Sequence, residues 1–143
     1  MSTDLVARTE VLINTSPEKV WEGLTKPEIV KEYMFGTELR SDFQVGSPIT
    51  YVGEWEGKTY EDKGVILKSE PSKLLSHTYW SSVGSTPDLP ENYYTITYTL
   101  TPVENGTKLL IEQSGSKDEE AKSNSEGNWN MVLKTLKDIL EKA

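Results

Sequence analysis

The chain has no cysteine and a single histidine among its 143 residues. Without cysteine there is no disulfide framework, no thiolate nucleophile and no Cys-based zinc site. With His77 alone, paired-histidine metal motifs are excluded as well. Basic residues are scarce: 15 Lys and Arg stand against 23 Asp and Glu, a net charge of −8. That balance argues against nucleic acid, which needs a basic footprint, and against docking on anionic lipid. Long apolar runs are missing too. Nothing approaches the roughly 20 residues that span a bilayer, and Met1-Ser2-Thr3-Asp4 lacks the basic start and apolar stretch of a secretory signal. No membrane insertion is therefore expected. Asn105-Gly106-Thr107 matches a glycosylation sequon, but without secretion it reads as a turn. There is no phosphate-cradling glycine loop, no Ser-centred nucleophile elbow and no carboxylate–His metal spacing. No catalytic residue, metal or cofactor is assigned on this basis. The expectation is one acidic, cytoplasmic domain over residues 1–143, long enough to bury a core without staples.

What the chain does have is aromatic side chains on alternating segments, with four Trp, seven Tyr and two Phe. Residues 5–13 alternate, with Ala7, Thr9, Val11 and Ile13 on one face and Arg8 and Glu10 on the other, as in a half-buried strand. Ser16 followed by Pro17 reads as a helix start, because proline lacks only an N–H that would go unpaired there. A second short helix follows from Lys26-Pro27 to about Met34. Period-two patterns then recur over 48–55, 58–67, 73–80, 93–101 and 107–113, separated by turn signals and by a longer loop at 81–92. Glu104-Asn105-Gly106 predicts a hairpin, since Asn-Gly tolerates the positive φ of a type I′ turn. Trp129, Val132, Leu133, Leu136, Ile139 and Leu140 form one face of a long helix, starting near Asp118 or at a capping box from Ser123 to Glu126. The predicted class is α+β, a curved antiparallel sheet of about six or seven strands round a C-terminal helix. A twisted sheet meeting a straight helix fits imperfectly, and a cavity between them is the natural consequence.

These segments carry a resemblance. Ile13-Asn14-Thr15-Ser16-Pro17-Glu18-Lys19-Val20-Trp21 is similar to the opening I-x-A-x-P-x-x-V-W of the START-like, birch-pollen-allergen-like (SRPBCC) superfamily. Gly64 to Pro71, followed by Lys73-Leu74, resembles the G-x-V-x-x-x-x-P-x-x-L of one bacterial branch. That branch is homologous to the C-terminal domain of the activator of the ninety-kilodalton heat-shock protein's ATPase. Tyr98, Leu100, Pro102, Gly106-Thr107, Leu109 and Ser114-Gly115 match its F-x-L-x-P-x-x-x-G-T-x-L-x-x-x-x-S-G. Gly127-Asn128-Trp129 with Leu133 and Leu136 looks like its closing G-W-x-x-x-L-x-x-L, with one residue inserted after the glycine. The resemblance implies a helix-grip fold with a hydrophobic cavity. It implies no one activity, since such proteins include lipid and aromatic-ligand binders, cyclases, hydrolases and co-chaperone domains.

Candidate ligand-binding residues follow from both readings. Tyr51, Trp55 and Tyr79 lie on alternating strands and bring apolar bodies with polar tips, although cross-strand pairing alone would also account for them. Tyr33 and Phe35 belong to the cluster Tyr33-Met34-Phe35-Gly36, which closes the second helix and suits either a cavity mouth or a core contact. Trp21 and Trp129 occupy the positions of structural aromatics, and Trp129 also suits a cavity wall. Met131 and Leu133 lie on the helix that roofs the cavity. His77 shares a strand face with Leu75 and Tyr79; a hydrogen-bonded or surface strand histidine is the plainer reading, a polar contact in the cavity the sharper one. Glu54, Glu56, Glu61 and Asp62 flank a hairpin and are expected to be solvated. The functional expectation is non-covalent binding of a small hydrophobic or aromatic molecule. A chaperone-partner role, implied by the resemblance, comes second and an enzyme of the cyclase or hydrolase kind third.

Overall fold

The computed structural model describes residues 5–34, 36–55, 57–81, 87–89, 93–116 and 118–142. Strand β1 (Leu5–Ile13) leads into helices α1 (Pro17–Thr25) and α2 (Pro27–Tyr33). Six further strands follow: β2 (Glu38–Arg40), β3 (Pro48–Trp55), β4 (Lys58–Glu70), β5 (Leu74–Ser81), β6 (Tyr94–Val103) and β7 (Gly106–Ser116). Helix α3 (Glu119–Lys142) closes the chain. The strands form one curved antiparallel sheet in the order β1-β7-β6-β5-β4-β3-β2, and the long helix lies across it in a helix-grip arrangement. Details differ from the sequence reading. Strand β2 has three residues, too few to show a period, and β4 runs on to Glu70. Most of the loop expected over 81–92 lies outside the described residues.

Local chemistry sets the short helices. The Ser16 hydroxyl accepts the Lys19 N–H at 3.3 Å, capping α1, and Pro17 takes the first helical position. Pro27 ends α1 and starts α2 in one step, because the residue before a proline is pushed out of helical geometry. The Tyr33 hydroxyl, buried, donates to the Gly23 carbonyl at 2.8 Å and ties the two helices together.

The packing of α3 is uneven along its length. Asp118 caps it by accepting the Ala121 N–H at 2.8 Å. The alternative capping box is not used, for Glu126 instead accepts the Arg8 N–H of β1 at 2.9 Å. Further along, Glu141 accepts the Asn14 N–H at 2.8 Å, and the Lys137 ammonium donates to the Leu12 carbonyl at 2.9 Å. Side chains of the helix thus satisfy the outer edge of β1, which would otherwise offer unpaired groups to another strand. Leu133, Leu136 and Leu140 in the C-terminal half are buried in the core with Ile13, Val20, Leu24 and Leu109. The N-terminal half carries Ser125 and Asn128 in the corresponding places and leaves space beneath it.

Two glycines answer to close backbone approach. The β6–β7 loop is Glu104-Asn105, with Val103 paired to Gly106, so Asn105 keeps a negative φ and the expected type I′ turn does not form. Gly106 begins the returning strand instead, and a Cβ there would lie 2.2 Å from the Ile13 carbonyl oxygen. On β4, a Cβ at Gly64 would lie 1.7 Å from the Thr78 carbonyl oxygen. The β4–β5 register shifts between Ile66 and Lys68, and Thr78 crosses close over Gly64 as the sheet bends. Gly64→Ala is therefore expected to lower stability by about 3 kcal/mol, because backbone must move. Urea unfolding checks this, and a midpoint within error of the parent would refute it.

Candidate ligand cavity

A cavity of about 280 Å³ lies between the sheet and the N-terminal half of α3. Its walls come from alternate residues of neighbouring strands, which project from one face. Tyr51 comes from β3, Tyr60 and Asp62 from β4, His77 and Tyr79 from β5, Ile96 and Tyr98 from β6, and Gln113 from β7. Met34 and Thr37 close the side below α2, and Ser125, Asn128, Trp129 and Val132 form the roof. Register brings these groups together: Tyr51 pairs directly with Asp62, His77 with Ile96, and Ile96 with Gln113. A narrower recess deeper in the core shares Met34, Tyr51, Tyr98, Trp129 and Val132 with the cavity and is bordered by Tyr33 and Leu133.

Rings make much of the surface. Tyr98 stacks on His77 at 5.6 Å between centroids and meets Trp129 edge-on at 6.1 Å. Tyr51 lies 6.2 Å from His77 and 6.4 Å from Tyr79. Polar tips are held by specific partners. The Trp129 indole N–H donates to the side-chain Oε1 of Gln113 at 2.9 Å. The Thr37 hydroxyl donates to the Met34 carbonyl at 2.6 Å, which leaves its oxygen to accept from the Tyr60 hydroxyl at 2.5 Å. The Tyr79 hydroxyl donates to Asp62 Oδ2, also at 2.5 Å. Burial pushes the phenol pKa values of Tyr33, Tyr51, Tyr79 and Tyr98 up, and the Asp62 charge adds to the effect at Tyr79. All four remain neutral hydroxyls throughout the physiological range.

His77 is fully buried, with 0% of its surface exposed. Its Nδ1 lies 2.7 Å from the Thr78 carbonyl, an acceptor only, so Nδ1 carries the proton. Nε2 then accepts from the Tyr98 hydroxyl at 3.3 Å. Burial pushes the imidazole pKa down to about 4, against an opposing pull from the Thr78 carbonyl. At neutral pH the ring is uncharged, both nitrogens are engaged, and it serves as an aromatic and hydrogen-bonding wall. Among the described residues, no group of three or more Asp, Glu, His or Cys is placed to hold a metal ion.

Comparison with known proteins places this architecture. Residues 14–141 match the family model for Activator of Hsp90 ATPase homolog 1-like protein. The chain belongs to that family. Within it, and within the wider START-like superfamily, the helix-grip fold is shared by solved structures along nearly the whole chain. The solution structure of ChR145 from Cytophaga hutchinsonii is 45% identical, with 99% of this chain and 97% of that one aligned and a TM-score of 0.88. The crystal structure of MLL2253 from Mesorhizobium loti is 26% identical over 97% of this chain and 98% of that one, at a TM-score of 0.78. The solution structure of the Aha1 dimer from Colwellia psychrerythraea is 23% identical over 96% of each chain, at a TM-score of 0.76. No curated protein matches the sequence.

Among the residues singled out from the sequence, Tyr51, His77, Tyr79 and Trp129 line the main cavity of this family member. Tyr33 and Leu133 border the deeper recess. Met131 is 55% exposed and lines neither, because it lies on the solvent side of α3, turned about 100° from Val132 and about 200° from Leu133. Phe35 and the side chain of Trp55 lie outside the described residues. Trp21 packs partly buried against the core. Asp62 corrects the expectation of a solvated carboxylate: it is 9% exposed, since it shares a strand face with Ile66 and not with its neighbour Glu61. Tyr60, Tyr98 and Gln113 were not anticipated as lining residues. Stepping back by two from Ile66 reaches Asp62 and Tyr60, and stepping forward by two from Ile96 reaches Tyr98, so alternation carried the signal.

The imidazole makes its own pH prediction. Its folded pKa near 4 lies below the usual value of about 6.5, so the unfolded chain binds a proton first as pH falls. Stability from this group is complete above pH 6.5 and declines by about 3 kcal/mol as pH falls to 4. Because His77 is the sole histidine, an NMR titration reads one imidazole; a midpoint near 4 is expected, and one above 6 would overturn the burial argument.

Proposed function

We propose that this protein binds a small, largely apolar molecule non-covalently in the cavity beneath α3. The cavity carries this reading: about 280 Å³ of space walled by aromatic and aliphatic side chains, with hydroxyls and amides at a few points. A dry engineered cavity of roughly 150 Å³ suffices for benzene, so one or two rings fit here. Burying about 200 Å² of apolar guest surface contributes roughly 5 kcal/mol before association costs. Tyr60, Gln113 and Asn128 supply polar tips that orient a guest without covalent chemistry. A cytoplasmic setting suits such a role, and among the described residues no helix is long and apolar enough to cross a membrane.

A second reading, interaction with a chaperone partner, is supported by the family's description. The two readings separate by experiment. Naphthalene is expected to quench tryptophan fluorescence through Trp129 and to shift amide resonances of β4 to β6. Val132→Trp, which fills the cavity from the roof, is expected to keep the fold by circular dichroism and to weaken binding about tenfold or more. Equal binding by parent and variant would place the probe elsewhere and refute the cavity reading.

A further inference from the structure

Asp62 stands apart from the other lining residues. Its Oδ2 takes the Tyr79 hydroxyl, while Oδ1 is buried and has no hydrogen-bond partner among the described residues. A carboxylate nine-tenths buried with one oxygen unpaired is costly, because water that would solvate it has been removed and only one donor replaces it. Among the described residues, no Lys or Arg lines the cavity to balance the charge. Lys63, next in sequence, points to the other face of the sheet, where it pairs with Asp88 at 2.6 Å and lies over the Trp80 ring. His77, the remaining basic side chain of the lining, is neutral at physiological pH. Around the carboxylate stand electron-rich rings: Tyr51 is the cross-strand partner of Asp62, Tyr79 is bonded to it, and their centroids are 6.4 Å apart and tilted by 59°.

We propose that the cavity selects an organic cation, a protonated primary or secondary amine on an aromatic or apolar body, with the Asp62 carboxylate accepting the ammonium N–H and the Tyr51 and Tyr79 rings flanking it. This rests on the ligand-binding reading above and adds the ligand's charge. The unpaired oxygen needs a donor, and a donor that also carries positive charge cancels the one uncompensated charge of the lining. Tyrosine faces attract cations through their ring quadrupoles. An anionic guest of the same shape meets like charge at Asp62, and a hydrocarbon leaves Oδ1 unpaired.

Three probes of matched size test this on the full chain by NMR titration: phenethylamine, its hydrocarbon isostere n-propylbenzene, and 3-phenylpropanoate. The parent protein is expected to bind phenethylamine about tenfold or more tighter than n-propylbenzene, with the carboxylate weakest. Asp62→Asn, near-isosteric and still able to accept from Tyr79, is expected to lose about tenfold or more for the amine and little or nothing for the hydrocarbon. The ranking on the parent protein stands independently of how well the variant folds. If the hydrocarbon binds as tightly as the amine, or if Asp62→Asn retains the amine's affinity, the cation proposal is overturned while the ligand-binding reading survives. If none of the three probes binds the parent, both fall.

Discussion

The anchoring of α3 by Leu133, Leu136 and Leu140 is the contact from which the rest of the molecule takes its shape. These three side chains occupy the C-terminal half of the helix and interdigitate with Ile13, Val20, Leu24 and Leu109. The helix is straight and the sheet is curved, so close packing at one end imposes separation at the other. At that other end the helix presents Ser125 and Asn128, which are too short and too polar to fill the gap. The cavity is thus a consequence of where the leucines stop. Trp129 sits at the boundary, with its ring against Tyr98 and its indole N–H on Gln113.

The interior that results is polar in an unusual manner for a small domain. Three buried phenols (Tyr33, Tyr51 and Tyr98), the partly buried phenol of Tyr79, a neutral imidazole and a carboxylate lie in and beside the cavity. The phenols and the imidazole remain uncharged because burial disfavours their ionised forms. Several tips are tied to fixed partners: His77 to the Thr78 carbonyl, Tyr60 to Thr37, Tyr79 to Asp62. Such bonds fix rotamers, so the wall facing a guest is preorganised and little side-chain freedom remains to be lost on binding.

Much of the architecture was legible because period and punctuation agree. The alternation Ala7, Thr9, Val11, Ile13 marks β1, Ser16-Pro17 marks α1, and the spacing from Trp129 to Leu140 marks α3. Short range is where reading failed. Strand β2 is held by three residue pairs to β3 and has no pattern of its own. The hairpin at Glu104-Asn105 was legible but its turn type was not, because Gly106 answers to the Ile13 carbonyl, a contact across more than ninety residues. The cavity was readable as a shape but its chemistry was not. Asp62 resembled its solvated neighbours in composition; alternation from Ile66 puts it on the inward face, and the pairing of β4 with β3 and β5 sets it beside Tyr51 and Tyr79.

Open sheets have two borders, and this one leaves very little of either available for recruiting another chain. On β1 the Arg8 N–H and the Leu12 carbonyl are taken by Glu126 and Lys137 of α3, and Glu141 takes the Asn14 N–H just past the strand, so side chains of a helix and not another strand engage this border. The far border, β2, is only three residues long, and charged Glu38 and Arg40 at its ends are paired to each other at 2.9 Å. Templated addition of foreign strands therefore finds no long, flat, apolar rim. A protein that keeps a hollow interior forgoes some packing energy, and an unguarded rim would expose it to fibrillar association whenever it loosened. The same helix that leaves the hollow open at one end seals the rim along its flank.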